Sequence, residues 1–409
     1  MTDLRGILSL RENFSSFQKE LQTPDNDGDI YTSYASDFRK SSWSFPIIEN
    51  LAVMKNEDVI KRYDDTYSKY IVYSVNMKPH TLLRVDLIQK LPAIRCKPGY
   101  KAKWVENIGS FIIREVKLLF GEDFLTTINE NSLEKIVQSR VKNVESLEVR
   151  RGNTPELQNL SEYLEEDVTS FTIPFFFSKR LGSYFPLHYC GYEDNLEIFL
   201  DAKSNLKDLI EVYDSNENKV DPEKYIFPVE LEKPNLRGYH TIMDKWELDS
   251  ASCSKESRNI RLVEDFITKE SVLNDTMITI KDVKIPVSLI SWKLSENVKI
   301  ISTSLKLSKK IDTLILPEDL TNRDLPDLAL LNPLPKVGYH YYPLDVDKNN
   351  NDPPSGIPII DGSINVKLLK KESCYLELCL FVVKKLIFEK VANNEDARKN
   401  FRCSYKISF

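Results

Sequence analysis

Hydrophobic and polar positions alternate along short segments through most of the chain. One example begins at Leu196, where Leu196, Ile198 and Leu200 fall on every second position. Further alternating runs occupy residues 364–368 and 374–380. A period of two residues is typical of a β-strand that packs one face on a core. Proline, glycine and asparagine separate these runs, so the pattern predicts an all-β protein.

One segment has helical spacing instead. Between residues 131 and 147 the apolar positions recur every three or four residues, and Asn131 with Glu134 has the spacing of a capping box. The apolar members are Leu133, Ile136, Val137, Val141, Val144 and Leu147. We therefore expect a helix within a long loop excursion between strands.

The length of 409 residues exceeds the size at which a single core usually stops growing. Residues 1–30 are polar and rich in turn-formers, which predicts an arm. Residues 212–221 form another polar, turn-rich stretch and predict the boundary between two domains. The expected division is an arm over 1–30, a first domain over 31–212 and a second over 213–409.

Charge argues against a role in binding nucleic acid directly. The chain has 56 basic and 62 acidic residues, a net charge of -6, and they are spread along the sequence. Affinity for phosphate depends on clustered lysine and arginine. The pairs at 309–310 and 370–371 are short enough to be ordinary solvated surface.

The six cysteines do not form a ligand set. None belongs to a CxxC pair, and Cys374 and Cys379 are five positions apart, which puts them on opposite faces of a strand. Buried free thiols in a reducing compartment are expected. The first residues carry Asp3, Arg5 and Glu12 within the apolar run, so neither a signal peptide nor a membrane span is predicted.

No residue pattern in the sequence indicates catalysis or metal binding. His80, His188, His240 and His340 form no HExxH or paired motif, and each of the four adjoins an aromatic residue or proline. The acidic loop over 345–352 lacks the glycine and glutamate that an EF-hand requires. We therefore predict no catalytic residue, no cofactor, no metal ligand and no enzymatic activity.

Four segments carry a more specific pattern. Residues 172–200 read TIPFFFSKRLGSYFPLHYCGYEDNLEIFL, and residues 104–121 read WVENIGSFIIREVKLLFG. The later two are VKIPVSLISWKL over 283–294 and GYHYYPLDVDKNNNDPPSGIPIIDGSINVKL over 338–368. In the 104–121 segment, Val116, Leu118 and Phe120 share one strand face.

In their order and content these segments resemble the double jelly-roll major capsid proteins of nucleocytoplasmic large DNA viruses. The 172–200 segment is similar to the end of the first roll. The 104–121 segment is similar to a strand pair joined by an Asn-Ile-Gly turn. The two later segments are similar to strands of the second roll, with Ile285 where the family usually has histidine. One box alone is weak evidence, whereas four in register are specific.

The resemblance implies two tandem eight-stranded antiparallel jelly rolls with helical loop excursions. Three copies would form a pseudo-hexagonal capsomer that tiles an icosahedral shell. The implied partners are the homotrimer, neighbouring capsomers and minor capsid proteins, near an inner viral membrane but not inserted into it. Synthesis and assembly in the host cytoplasm and a place in the virion capsid follow from the same resemblance.

The aromatic residues of these segments are the candidate structural or interface positions. Three consecutive aromatic residues on a strand point to both faces, which favours a core or interface over a ligand pocket. The candidates are Trp104, Phe175, Phe176, Phe177, Trp292, Tyr339 and Tyr341.

Two alternatives remain at this point. A minor capsid or scaffold paralogue would share the fold, and residues 31–46 (YTSYASDFRKSSWSFP) match the family pattern poorly. A carbohydrate-binding or carbohydrate-active jelly roll would need paired carboxylates or an exposed aromatic platform. Glu197 and Asp201 share a strand face, but with Phe199 between them they are predicted to line the solvent side.

Overall fold

A computed structural model describes residues 46–75, 80–130, 133, 152–173, 185, 187 and 195–242, and beyond these the strands given below. Within these residues the protein consists mainly of antiparallel strands with few and short helices. The predicted all-β character is confirmed. No described helix has the length and apolarity needed to span a membrane.

Fourteen strands belong to the described part before residue 243. They are β1 (Pro46–Asn50), β2 (Ala52–Val53), β3 (Ile71–Val75), β4 (His80–Leu91), β5 (Ile94–Arg95), β6 (Lys101–Trp104), β7 (Ile113–Phe120), β8 (Asp123–Asn129), β9 (Tyr163–Leu164), β10 (Asp167–Ile173), β11 (Leu196–Ala202), β12 (Ile210–Tyr213), β13 (Lys219–Val220) and β14 (Asn235–Ile242).

Ten strands follow. They are β15 (Arg258–Val272), β16 (Thr276–Ile280), β17 (Val283–Leu294), β18 (Ile300–Ser308), β19 (Ile311–Ile315), β20 (Tyr339–Pro343), β21 (Ile357–Ile359), β22 (Gly362–Leu368), β23 (Cys374–Lys390) and β24 (Cys403–Ser408). The helices with described bounds are α1 (Asn56–Tyr63), α2 (Ile108–Phe111), α3 (Pro155–Gln158) and α4 (Pro222–Tyr225), with 3-10 turns at Asp65–Tyr67 and Leu206–Asp208.

The first group of strands forms a sandwich. One sheet has the order β1-β14-β4-β10 and the other β2-β3-β11-β7-β8. Their facing side chains form one continuous apolar core, with Val85 and Leu87 from one sheet and Leu118, Phe120 and Ile198 from the other. These side chains are all essentially inaccessible to solvent. The alternation read from the sequence therefore places the core face of β7 and β11 correctly.

Smaller sheets lie beside this sandwich. Strands β13, β12 and β6 form a three-stranded sheet, and β5 pairs with β9. The turn-rich stretch at 212–221 is the β12–β13 hairpin, in which Oδ1 of Asp214 accepts hydrogen bonds from the backbone N–H of Asn216 and Asn218. The predicted domain boundary at 212 falls inside this first group of sheets, because β14 pairs with both β1 and β4.

The second group of strands also builds two main sheets. One has the order β15-β23-β17-β20, with β21 attached to β17 and β24 attached to β23. The other has the order β16-β22-β18-β19. Val287, Ile290 and Trp292 of β17 and Leu380 of β23 are buried. Both sheets of the second group are antiparallel, like those of the first group.

One local prediction is wrong, and another lies outside the described residues. Residues 104–121 do not form a strand pair, because β6 pairs with β12 and β7 pairs with β8 and β11. The short helix α2 joins them, after Asn107 in the left-handed region with φ 56°. The predicted helix at 131–147 lies outside the described residues apart from Leu133, which is buried.

Candidate functional site

The outer face of the β2-β3-β11-β7-β8 sheet carries a second apolar cluster. Phe199 of β11 is at its centre and is fully buried, and Val72 lies directly opposite it on β3. Helix α1 covers this face and contributes Val59, which is 1% exposed. Strand β11 is therefore buried on both faces, which a simple sandwich does not require.

Four aromatic rings surround Phe199. The ring centroids of Tyr63, Tyr67, Phe124 and Tyr70 lie 5.1, 5.6, 5.6 and 5.9 Å from that of Phe199, all in edge-on arrangements. Such geometry suits the quadrupoles of aromatic rings and adds stabilisation beyond the buried area. The cluster holds the segment between β2 and β3 against the sheet.

A buried carboxylate anchors α1 at the same place. Glu197 is 1% exposed, and its Oε1 accepts a hydrogen bond from Nη1 of Arg62 at 2.7 Å. Its Oε2 accepts one from the hydroxyl of Tyr63. Burial, and then the bond to this carboxylate, raise the pKa of the Tyr63 phenol. The prediction that Glu197 and Asp201 line the solvent side is wrong for Glu197, which α1 covers, whereas the Asp201 side chain stays 15% exposed at the end of β11.

Charged side chains at the rim of the aromatic cluster form ion pairs and hydrogen bonds with one another and with Tyr70. The Tyr70 hydroxyl donates to Glu115, and the ammonium group of Lys117 lies 3.4 Å from the same carboxylate. Lys69 pairs with Asp201 at 3.3 Å. Burial, followed by the bond to Glu115, raises the pKa of Tyr70. Each of these carboxylates is therefore engaged with groups of its own chain.

The outer face of the β1-β14-β4-β10 sheet shows a similar arrangement. Asp86 is fully buried and accepts hydrogen bonds from Nε of Arg84 at 2.6 Å and from Oγ1 of Thr172 at 2.8 Å. The Arg84 guanidinium lies 4.2 Å from the centroid of the Tyr239 ring. Burial and the Asp86 charge raise the pKa of Tyr239. The bond from Thr172 joins β10 to β4 at the position where Thr172 lies opposite Asp86, so the buried charge is both paired and hydrogen-bonded.

The two predicted tryptophans are core residues. Trp104 of β6 is fully buried and lies opposite Ile210 on β12. Trp292 of β17 is fully buried and lies between Leu378 on β23 and His340 on β20. Neither one is an exposed interface residue of the single chain.

The other predicted positions are only partly described. Tyr339 and Tyr341 belong to β20, where they are paired with Lys293 and Ser291 of β17. Phe175, Phe176 and Phe177 lie outside the described residues. The apolar run that follows them does reach the core, since Phe185 and Leu187 are buried.

The histidines, the cysteines and the acidic loop outside these clusters are only partly described. His240 is fully buried on β14, where it lies opposite Ile47 of β1 and Leu82 of β4. His188 and the acidic loop at 345–352 lie outside the described residues. Burial raises the pKa of the Cys96 thiol. Among the described residues no group of three or more His, Cys, Asp or Glu side chains could hold a metal ion.

Sequence reasoning missed the two arginine–carboxylate anchors. Arg84 and Asp86 are two apart on one strand and so share a face, which is a readable signal. Arg62 and Glu197 are 135 positions apart and have no local signal.

Comparison with known proteins gives a structural likeness only. No protein-family model matches the chain, and no curated protein matches its sequence. A capsid chain of PBCV-1 virus superposes with a TM-score of 0.61 at 8% identity, covering 90% of this chain and 97% of that one. The Faustovirus major capsid protein gives a TM-score of 0.59 at 8% identity, over 83% of this chain and 90% of that one.

A third structure, from the Sputnik virophage, gives a TM-score of 0.53 at 8% identity, over 90% of this chain and 88% of that one. At this level of identity the likeness defines the fold. The chain has the double jelly-roll fold of viral major capsid proteins, as its four sequence segments predict.

Proposed function

We propose that this protein is a structural subunit of a viral capsid. The observation that carries the proposal is the superposition over 90% of this chain and 97% of the PBCV-1 capsid chain. Such coverage includes both groups of sheets, whereas a lone jelly roll of any other function would match only one of them. Its place is then the virion capsid, with assembly in the host cytoplasm.

Each group of sheets is proposed to be one eight-stranded roll with additions. The main sheets of the second group have four strands each, with β21 and β24 attached. Those of the first group have four and five strands, the extra one being the two-residue β2. We place the boundary between the rolls between Ile242 and Arg258, because β14 belongs to the first group.

Three copies are proposed to form the capsomer. Two rolls in each of three subunits give six similar units around an axis, and such an outline fits hexagonal lattice positions. Closed cyclic assembly is the usual arrangement for a subunit with two different complementary sides. The partners are then the homotrimer, neighbouring capsomers and minor capsid proteins.

The described clusters support an architectural role. The buried carboxylates Glu197 and Asp86 are each held by an arginine of the same chain. Asp201 and Glu115 are paired with lysines. A glycosidase would need two carboxylates facing a substrate cleft, and this pairing leaves Glu197 and Asp201 unsuited to that chemistry.

Analytical ultracentrifugation of the purified protein tests the proposal. We expect a particle of about three times the 47.4 kDa chain mass, and negative-stain images with a pseudo-hexagonal outline. A monomer at micromolar concentration would overturn it. Protein staining of purified virions then separates a major shell protein, which dominates by mass, from a minor component or from a scaffold that is absent from the particle.

A further inference from the structure

Three exposed side chains lie side by side on the small sheet that contains β5 and β9. Arg95 of β5 is directly opposite Tyr163 of β9. On the other side of β5, the backbone N–H of Phe227 donates to the carbonyl of Arg95, and Cys96 forms an antiparallel bridge with Ile226. Residues that lie opposite each other on antiparallel strands share a face. The register therefore orders Tyr163, Arg95 and Phe227 in one row, which we call the aromatic row.

The aromatic row faces solvent, whereas its chain neighbours face the core. Tyr163 is 53% exposed, Phe227 is 49% exposed, and Arg95 between them is exposed as well. The adjoining residues that belong to the main core of the first roll are Ile94, Cys96, Leu164 and Ile226. This alternation gives a sheet with one buried face and one solvent face that presents two large rings.

The backbone beneath the row is held on both sides of β5. The backbone N–H of Cys96 donates to the carbonyl of Glu162, and that of Lys97 donates to the carbonyl of Tyr225. The ring of Tyr225 in turn stacks on that of Tyr100, with 4.0 Å between the ring centroids. The spacing of the three side chains is therefore fixed by the fold before any ligand binds.

The row lies at one end of the sandwich. Its residues belong to the connections β4–β7, β8–β10 and β11–β14. Strand β4 ends where β10 and β14 begin, and β7 begins where β8 and β11 end. All three connections therefore lie at the same end of the roll. Subunits that pack through the sides of their rolls leave this end accessible.

The side chains of the row suit a sugar chain. A pyranose ring has a face of C–H groups that packs on an aromatic ring, and its hydroxyl groups accept hydrogen bonds. Neighbouring strands are about 4.8 Å apart, so Tyr163 and Phe227 are about 10 Å from each other, enough for two different rings of one sugar chain. The planar guanidinium of Arg95 lies between them and donates to hydroxyl or carboxyl oxygens. Among the described residues, no side chain pairs with this guanidinium.

We propose that the aromatic row is a glycan-binding site. Sugar rings stack on Tyr163 and Phe227, and Arg95 binds the oxygens of the sugar chain between them. The inference goes beyond the proposed function and does not depend on trimer formation, because all three side chains belong to one chain.

Single-stranded nucleic acid is the other ligand that stacks on exposed aromatic rings. Its phosphates require clustered lysine and arginine. Exposed carboxylates instead follow the two aromatic residues closely along the chain, at Glu165, Glu166, Asp167, Glu230 and Glu232. The charge around the row therefore favours a glycan with few negative groups over a nucleic acid.

Binding measurements on the purified full-length protein test the proposal. The probes are an array of neutral and sialylated oligosaccharides and, separately, oligothymidylate. We expect binding to a subset of the oligosaccharides and none to oligothymidylate. For the oligosaccharide bound best, Tyr163→Ala, Phe227→Ala and Arg95→Ala should each lower the affinity at least about tenfold.

Two control variants separate the role of the row from general effects. Tyr163→Phe keeps the ring and should retain binding, whereas Val168→Ala removes an apolar side chain that is 57% exposed elsewhere and should bind like the wild type. All the substituted positions are exposed, so the circular dichroism spectra and Tm values should match those of the wild type.

Each contrary outcome has its own meaning. The proposal is overturned if no oligosaccharide binds, or if Tyr163→Ala and Phe227→Ala bind with unchanged affinity. Binding of oligothymidylate that is lost in these variants would assign the row to nucleic acid instead. Loss of the trimer in the same variants, measured by sedimentation, would make the row a contact between subunits and would also overturn the proposal. A wild-type trimer that binds no glycan removes this inference and leaves the proposed function standing.

Discussion

Arg62 and Glu197 join helix α1 to strand β11 through a hydrogen bond of 2.7 Å. The carboxylate is 1% exposed, whereas 39% of the arginine side chain is exposed. The pair therefore lies where the covering segment meets the sheet. Together with the packing around Phe199, this contact holds α1 on the outer face of the sheet.

Substitution of Arg62 should weaken the attachment of α1 to the sheet. In Arg62→Ala the buried Glu197 carboxylate keeps only the Tyr63 hydroxyl as a described partner, and leaving a buried charge undercompensated costs about 2–3 kcal/mol. We expect the melting temperature of the first roll to fall by about 5–10 °C in calorimetry. Lys61→Ala, at an exposed neighbouring position, is the control and should melt like the wild type.

Truncation of Phe199 should be more damaging. Phe199→Ala removes the ring against which four other rings pack, and large-to-small changes of this kind cost about 3–5 kcal/mol. We expect a corresponding loss in urea denaturation. Val168→Ala, at a position 57% exposed, should change the free energy of unfolding by less than about 0.5 kcal/mol. Equal stability of the two variants would show that α1 does not cover Phe199 in solution.

Alkaline pH should destabilise the first roll through Tyr73. This side chain is fully buried, its hydroxyl donates to the backbone carbonyl of Pro234, and burial raises its pKa. The folded state therefore holds the phenol protonated above pH 10, where an unfolded tyrosine ionises. Its stabilisation is present below about pH 10 and falls by about 1.4 kcal/mol per pH unit above it.

The variant Tyr73→Phe isolates this effect. At pH 8 we expect it to be about 1 kcal/mol less stable than the wild type, because the hydrogen bond to Pro234 is lost. Between pH 10 and 11 its stability should fall less steeply than that of the wild type, by about 1.4 kcal/mol per pH unit. Parallel pH profiles in urea denaturation would contradict the burial of Tyr73.

Strand β14 should unfold with the first roll. It pairs with β4 over most of its length and with β1 on its other side. In hydrogen exchange under mild denaturant, we expect the amides of β14 to open together with those of β4 and separately from those of β17. If the amides of β14 instead open together with those of β17, the boundary between the two rolls lies near residue 212.

Strands with a strong local pattern could be predicted from the sequence. The alternation at Leu196, Ile198 and Leu200 identifies β11, and Val283–Leu294 is a strand with the bounds expected from its sequence segment. Here the period of two and the β-branched content agree with the fold. Trp104 and Trp292, two of the candidate structural or interface positions, are both buried in the core.

Other features depend on contacts that no local pattern records. The polar stretch at 212–221 has the composition of a linker, yet Asp214 and Glu217, which has φ 62°, form the tight turn of a hairpin. Glu197 reads as a solvent-facing residue in an alternating strand. Only the return of α1 across the sheet, from a distant part of the sequence, makes it a buried anchor.

The short end strands of the first roll also bear on solubility. Strand β1 has five residues and β2 has two, and they border the longer strands β14 and β3. Short end strands limit the addition of foreign strands to a sheet. A chain shortened past Val53 would present β14 and β3 as new sheet borders with their backbone groups open. Such a fragment would be prone to form fibrils or precipitates rather than closed particles.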